Sequence, residues 1–295
     1  MLNNIYDKDL STISPDGEIF QLKYALTASN RGNMILGITT LFHTFFVSCC
    51  DDVKKNKDYN DKILSIAENF GVLVSGVIGD AKYIHKYLEK NKTEYEEAFN
   101  RPYSLSSAIF DIHKIYSQTI FNSKTRPFGV NLILGGYDST GPNLFSFIPD
   151  AKIEKKDSIF FGSSKKIEML SLKKNLEGFR GKITKFSIDE TTDFLLRDLK
   201  KNFTNENYSI FIKNNLRISL VGKKIPWLIL EEGFFRRFVE FGKKCIHRPF
   251  QRKNLINIFK KSLSLIFYPP KNRRREKEFK VAFFLKFQIF FNEKK

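Results

Sequence analysis

Only three cysteines occur in the 295 residues, too few for a disulfide framework. That scarcity points to a reducing compartment. Two of them, Cys49 and Cys50, are adjacent, a poor spacing for joint metal binding, and read as buried strand residues. The four histidines, His43, His85, His113 and His247, show no Glu-x-x-His spacing and no cysteine partner, so neither a metal site nor a cofactor is expected. No run of about 18 apolar residues exists, which argues against a spanning helix. The stretch from Thr39 to Cys50 is broken by His43, Thr44 and Ser48. The N-terminal residues Met1-Leu2-Asn3-Asn4-Ile5-Tyr6-Asp7 lack the basic and apolar regions of a signal peptide. Gly162-Ser163-Ser164-Lys165-Lys166 lacks Walker spacing and reads as a loop-to-helix turn. The expectation is a soluble intracellular protein.

What is abundant is positive charge: 50 Lys and Arg against 32 Asp and Glu, a net of +18. The excess is uneven. Residues 233–295 hold 18 basic and 4 acidic residues, net +14, and 13 of the 31 phenylalanines, which leaves +4 for residues 1–232. A nearly balanced body thus carries a basic, Phe-rich tail. Within the tail Phe279, Val281, Phe283, Leu285, Phe287, Ile289 and Phe291 alternate with period two, a strand pattern. Arg273-Arg274-Arg275 after Pro269-Pro270 resembles an import or polyanion patch. The tail reads as a disordered extension shaped by base composition, as a read-through past a lost stop, or as a surface for nucleic acid, membrane or a partner. With 42% apolar residues, the body can bury a substantial core.

The hydrophobic pattern orders the body. Residues 1–14 are polar and aperiodic, an arm. Ser14-Pro15-Asp16-Gly17 is a turn. Ile19, Leu22, Ala25, Leu26 and Ser29 then fall on one helical face, and Gly32 is a stop. Met34–Thr39, Phe42–Cys49, Ile63–Ile66 and Val72–Ser75 read as strands, with 51–62 a charged loop between them. Ala81, Ile84, Tyr87 and Leu88 mark a helix broken at Arg101-Pro102. Ser104 caps the next one, which carries Leu105, Ala108, Ile109, Ile112 and Tyr116. The run Gly129–Gly136, broken only by Asn131, pairs with Leu144–Ile148 across a loop at 138–142. Ile159–Phe161 is a short strand. Helices are expected at 164–176 and after Ser187-Ile188-Asp189-Glu190, a capping box with Phe194, Leu195 and Leu199 inward. Tyr208–Ile212 and Leu216–Leu220 flank a hairpin turn. Strand blocks alternating with helix pairs predict two stacked, largely antiparallel sheets with helices outside.

Three segments carry a family resemblance. Tyr6-Asp7, Ser14-Pro15-Asp16-Gly17 and Gln21-Leu22-Lys23-Tyr24-Ala25 form the first. Ser75-Gly76-Val77-Ile78-Gly79-Asp80-Ala81-Lys82 is the second. The third is Arg126-Pro127-Phe128-Gly129-Val130 with Gly136-Tyr137-Asp138, Gly141-Pro142 and Pro149. In this order they resemble 20S proteasome α subunits over roughly residues 5–221. Phe99-Asn100-Arg101-Pro102, Gly135–Pro142 and the spacing around Lys62-Ile63 resemble the α type-1 branch, at the sixth ring position, whereas Ser11–Gly17 resembles α type-3.

The resemblance implies an α+β fold, the four-layer αββα sandwich of N-terminal-nucleophile hydrolases, with an N-terminal helix. It divides the chain into a gate arm (1–14), an α-type domain (15–232) and the tail (233–295). It implies a non-catalytic subunit of cytoplasm and nucleus, in a hetero-heptameric ring on a β ring, serving ubiquitin-dependent degradation. Active members need a Thr freed after Gly, whose amine serves as base. None of the 16 glycines here precedes Thr. The site residues it implies are Tyr6, Asp7, Lys8 and Pro15 for the gate. Lys8 stands where the family has Arg, and loses the bidentate fork. Lys62 and Gly76 fall in the pocket that docks the C-terminal carboxylate of regulatory-particle or activator tails. The alternative for Lys62 is an ordinary surface lysine in a charged loop. Lys23 stands where the family has Glu, a reversal that either weakens the gate rearrangement or is compensated by a neighbour. The helix from about Glu18 to Arg31 should face neighbouring α subunits, and the one from about Asp80 the β ring. No obligatory nucleic acid is implied. The alternative function is nucleic-acid or membrane-surface binding through the tail. Such binding must be salt-sensitive: heparin retention of the full chain should fall sharply when 233–295 is deleted, and unchanged elution would place the polyanion affinity in the body.

Overall fold

A computed structural model describes residues 6, 10, 12–49, 62–122, 124–162, 191, 195, 216–223 and 225–230. The chain divides into two units, Met1–Arg236 and Arg237–Lys295, and all of these residues lie in the first. The turn at 14–17 leads into helix α1 (Phe20–Asn30). Strands β1 (Ile35–Thr39), β2 (His43–Cys49), β3 (Ile63–Ala67) and β4 (Phe70–Gly76) follow, then helices α2 (Ile78–Phe99) and α3 (Leu105–Phe121). The later strands are β5 (Val130–Asp138), β6 (Gly141–Phe147), β7 (Ile153–Lys155), β8 (Ser158–Phe161), β9 (Leu216–Gly222) and β10 (Ile225–Leu230).

The strands form two five-stranded antiparallel sheets, ordered β10-β9-β2-β1-β8 and β3-β4-β5-β6-β7. Every residue of β1 is buried, because its sheet is covered on both faces, and that is why such strands read as unbroken apolar runs. Between the sheets lie Ile35, Phe46, Ile63, Leu73, Ile133, Leu144, Ile159 and Val221, with Trp227 packed 4.8 Å from the Phe46 ring. The alternate residues of the second sheet, among them Val72, Val74, Val130, Leu132 and Leu134, meet Ile84, Leu88, Ile112 and Tyr116 of α2 and α3. The buried Tyr116 hydroxyl donates to the Val130 carbonyl at 2.8 Å, so the phenol is satisfied. Thr191 and Leu195 have helical backbone and are buried. The fold is the α+β sandwich of the N-terminal-nucleophile hydrolase type, with its N-terminal helix.

Local signals explain the boundaries. Ser104 caps α3, its Oγ accepting from the Ser107 N–H at 3.1 Å. Asn100 ends α2 in the left-handed conformation, φ 48°, a role Asn fills when Gly is absent. The loop expected at 138–142 is instead a two-residue turn: Asp138 pairs with Gly141, and the Asp138 carboxylate accepts from the Thr140 N–H and hydroxyl. Two strands carried no sequence signal. β7 has one apolar residue between charges. β10 contains Pro226, which a strand tolerates only at a sheet edge, where β10 lies. β9 pairs with β2 and β10; the hairpin partner expected at 208–212, the helix expected at 164–176, and Phe194 and Leu199 lie outside the described residues.

His43 opens β2 opposite Gly222. Burial lowers its imidazole pKa from 6.5 to about 4, so the folded chain takes up this proton later than the unfolded chain as pH falls. Stability should therefore decline from about pH 6.5 toward 4. Urea melts across that range should show the decline, and His43→Gln should flatten it; an unchanged slope in the variant would exclude His43 as its source.

Candidate functional site

Of the residues singled out by sequence, Pro15 precedes α1 and Gly76 meets its C-terminal end. The chain enters through the turn at Ser14. The Ser14 carbonyl accepts from Gly17 N–H at 2.9 Å, and Ser14 N–H donates to the Glu18 carbonyl at 2.8 Å. Ser14 Oγ accepts from Glu18 N–H at 3.1 Å. Gly17 has φ +79°, a conformation that disfavours a side chain. Pro15 occupies the second, exposed position, where its fixed φ presets the reversal. Tyr6 is half-buried; Asp7 and Lys8 lie outside the described residues.

Lys23 has an acidic neighbour in its own chain. Its Nζ donates to Glu18 Oε2 at 2.8 Å, with both side chains about half exposed. The carboxylate raises the lysine pKa. Exposed pairs of this kind add little stability, but this one ties the first turn of α1 to the residue following the 14–17 turn. Tyr24 beside it is exposed.

At the other end of α1, backbone meets backbone. Gly76, the last residue of β4, has φ +121°, and a Cβ there would collide with the Gly129 carbonyl. A Cβ on Gly32 would collide with the Gly76 amide and lie 2.5 Å from Ser75 Oγ. Ser75 Oγ donates to the Asn33 carbonyl at 2.8 Å. Asn131, the polar break in the β5 run, is buried and donates to Asn30 Oδ1 at 3.1 Å. These bonds seat α1 and residues 30–33 across the strand ends, directly ahead of β1.

Lys62 lies at the same end of the sandwich. Its carbonyl accepts from Val74 N–H at 2.9 Å, two residues short of Gly76, or about 7 Å along a strand. The surface-lysine alternative is overturned: Lys62 is only 5% exposed. Its backbone leads directly into β3. The structure therefore brings Lys62 and Gly76 together and places Pro15 at the opposite end of α1.

The sequence motifs concealed one further arrangement. Asp80, in the first turn of α2, takes a two-pronged bond from Arg126, Nη1 to Oδ2 at 2.8 Å and Nη2 to Oδ1 at 2.7 Å. The same carboxylate accepts from Gly129 N–H at 3.0 Å. Asp80 is 13% exposed and Arg126 54%. Their separation by 46 residues hides the pair, although both stood inside quoted motifs. Among the described residues, no cluster of three His, Cys, Asp or Glu side chains could hold a metal ion, and no helix is long and apolar enough to cross a membrane.

Comparison with known proteins places this geometry in a family context. The family profile described as proteasome subunit matches residues 29–212. The chain is similar to proteasome subunit alpha type-1 of Drosophila melanogaster, 26% identical over 249 residues, covering 83% of this chain and 86% of the relative. It is 27% identical over 236 residues to the alpha type-1 subunit of Dictyostelium discoideum, covering 79% and 92%. It is 27% identical over 246 residues to proteasome subunit alpha type-6 of Saccharomyces cerevisiae, covering 81% and 100%.

Gly76→Ala tests the junction. The positive φ and the clash with the Gly129 carbonyl should together cost roughly 2–5 kcal/mol, read as a lower denaturant midpoint. Gly79→Ala, where a Cβ meets nothing within 4 Å, is the control; equal effects would refute the close-packing account.

Proposed function

Since this chain belongs to the proteasome subunit family, we propose that it is a structural, non-catalytic α-ring subunit of the 20S core particle. Its N-terminal segment contributes to the gated axial pore, and the end bearing Lys62 and Gly76 receives the C-terminal carboxylate of regulatory-particle or activator tails. The particle so formed serves ubiquitin-dependent protein degradation in cytoplasm and nucleus. Its partners are the other α subunits and the β ring.

The observation that carries the non-catalytic part is the covered start of β1. In active members of this fold the nucleophile is an N-terminal Thr with a free amine. Here β1 starts at Ile35. Ahead of it, the Asn33 carbonyl is held by Ser75, and α1 packs against the ends of β4 and β5 through Gly32, Gly76 and Asn131. Ile35, not Thr, opens β1, and residues 30–33 lead directly into it, which supports the non-catalytic reading.

The gate reading rests on the resemblance at Tyr6, Asp7 and Lys8, and is supported by the Ser14–Gly17 reversal that follows them. The Lys23–Glu18 pair supports internal compensation of the reversed charge. The docking reading rests on the resemblance at Lys62 and Gly76, with the lysine at 62 entering β3 opposite Val74 and Gly76 presenting backbone without a side chain two residues on. A terminal carboxylate needs such a cation and close access to backbone. Exposed aromatics on the outer helices, Tyr83, Phe110 and Phe121 among them, suit surfaces that assembly covers.

Affinity purification of the tagged chain from its native cells, read by mass spectrometry, is the deciding experiment. Proteasome α and β subunits should co-elute in stoichiometric amounts. Recovery of the chain by itself, or peptide hydrolysis by the isolated chain that one Thr substitution abolishes, would overturn the reading.

A further inference from the structure

We propose that the Asp80–Arg126 pair is a positioning latch for the carboxylate-docking end at Gly76. The inference rests on the docking reading above. The bonding path is continuous. Arg126 grips both oxygens of Asp80 at 2.7 and 2.8 Å. Asp80 Oδ2 also accepts from Gly129 N–H at 3.0 Å. The Gly129 carbonyl accepts from Val77 N–H at 3.0 Å, and its oxygen lies 2.2 Å from where a Cβ on Gly76 would be. One carboxylate therefore anchors the N–H of the residue whose carbonyl Gly76 packs against.

The residue types fit that task. A carboxylate has acceptor capacity for the fork and for a backbone N–H at once. Asp80 sits in the first turn of α2, where the helix dipole favours its charge. Guanidinium is planar and grips both oxygens, so it holds the carboxylate in one orientation; an ammonium does not. Gly129 has no side chain to hold it and directly precedes β5, so it is held at both backbone groups from outside: its N–H by Asp80 and its carbonyl by the Val77 N–H. Arg126 is half exposed and Asp80 nearly covered, so the grip tightens an already enclosed acceptor. Neither residue is within the pair Lys62 and Gly76; both act through Gly129.

The test uses core particles assembled with the full chain or its variants. The probes are a synthetic peptide copying the C-terminus of the regulator subunit that co-purifies with the particle, with a free carboxylate, and its C-terminally amidated twin. The wild type should prefer the free acid, and Lys62→Met should remove the preference. Arg126→Lys retains charge but not the fork, and Asp80→Asn retains an acceptor for Gly129. Each should raise Kd for the free acid by roughly tenfold, about one charged hydrogen bond, while leaving the amide and the yield of assembled particles unchanged. The exchange Asp80→Arg with Arg126→Asp restores opposite charges but cannot accept from Gly129, so it should not restore binding of the free acid. Full restoration by the exchange, or wild-type affinity in both single variants, overturns the latch while the docking reading stands. Equal loss for acid and amide overturns it in favour of a purely structural pair. If the wild type shows no acid preference, the docking reading itself fails and the latch with it.

Discussion

At the end of the sandwich where α1 meets the second sheet, three pieces of backbone lie in contact. Gly32 rests on the Gly76 amide, and Gly76 rests on the Gly129 carbonyl. No side chain fits at either contact. The close approach is what lets Asn30 reach Asn131, Ser75 reach the Asn33 carbonyl, and α1 lie across the strand ends. The seating of α1 and the path of residues 30–33 into β1 follow from it. A single methyl group at Gly76 would push these elements apart.

The polar groups around this junction are held by short, specific bonds rather than by burial alone. Asp80 satisfies a guanidinium and a backbone N–H together. Because buried polar groups cost free energy unless paired, each such bond also selects one arrangement over its neighbours. The apolar layers behave differently. Ile35, Phe46, Leu73 and Ile133 fill the space between sheets, and Val72, Leu132 and Tyr116 fill the space under the helices. They supply adhesion without specifying the close approach at Gly76.

Much of the fold was legible because its signals are local. The Ser14–Gly17 reversal needs Pro to preset φ and Gly for a positive φ. Ser104 had to cap a helix because its hydroxyl satisfies an otherwise orphaned N–H. Apolar runs such as 132–136 mark strands buried on both faces. β7 and β10 escaped notice for physical reasons. A three-residue strand has too few alternations to show a period, and Pro226 is tolerated only because β10 is a sheet edge. The turn at Ser139-Thr140 read as a loop because its tightness comes from the Asp138 carboxylate, not from its own backbone preferences.

The candidate site divides in the same way. From sequence alone came the division of charge into +4 and +14, the motifs holding Tyr6, Pro15, Lys62 and Gly76, and the lack of a Gly-Thr junction. These depend on residue identity and spacing, which the chain displays directly. Tertiary structure decided that Lys62 is enclosed rather than a loop cation, that Lys23 answers to Glu18, and that Asp80 and Arg126 are one unit. Those properties depend on which residues folding brings within about 3 Å, the range of a hydrogen bond. Partners 46 positions apart, like Asp80 and Arg126, meet only after two sheets and their helices have packed.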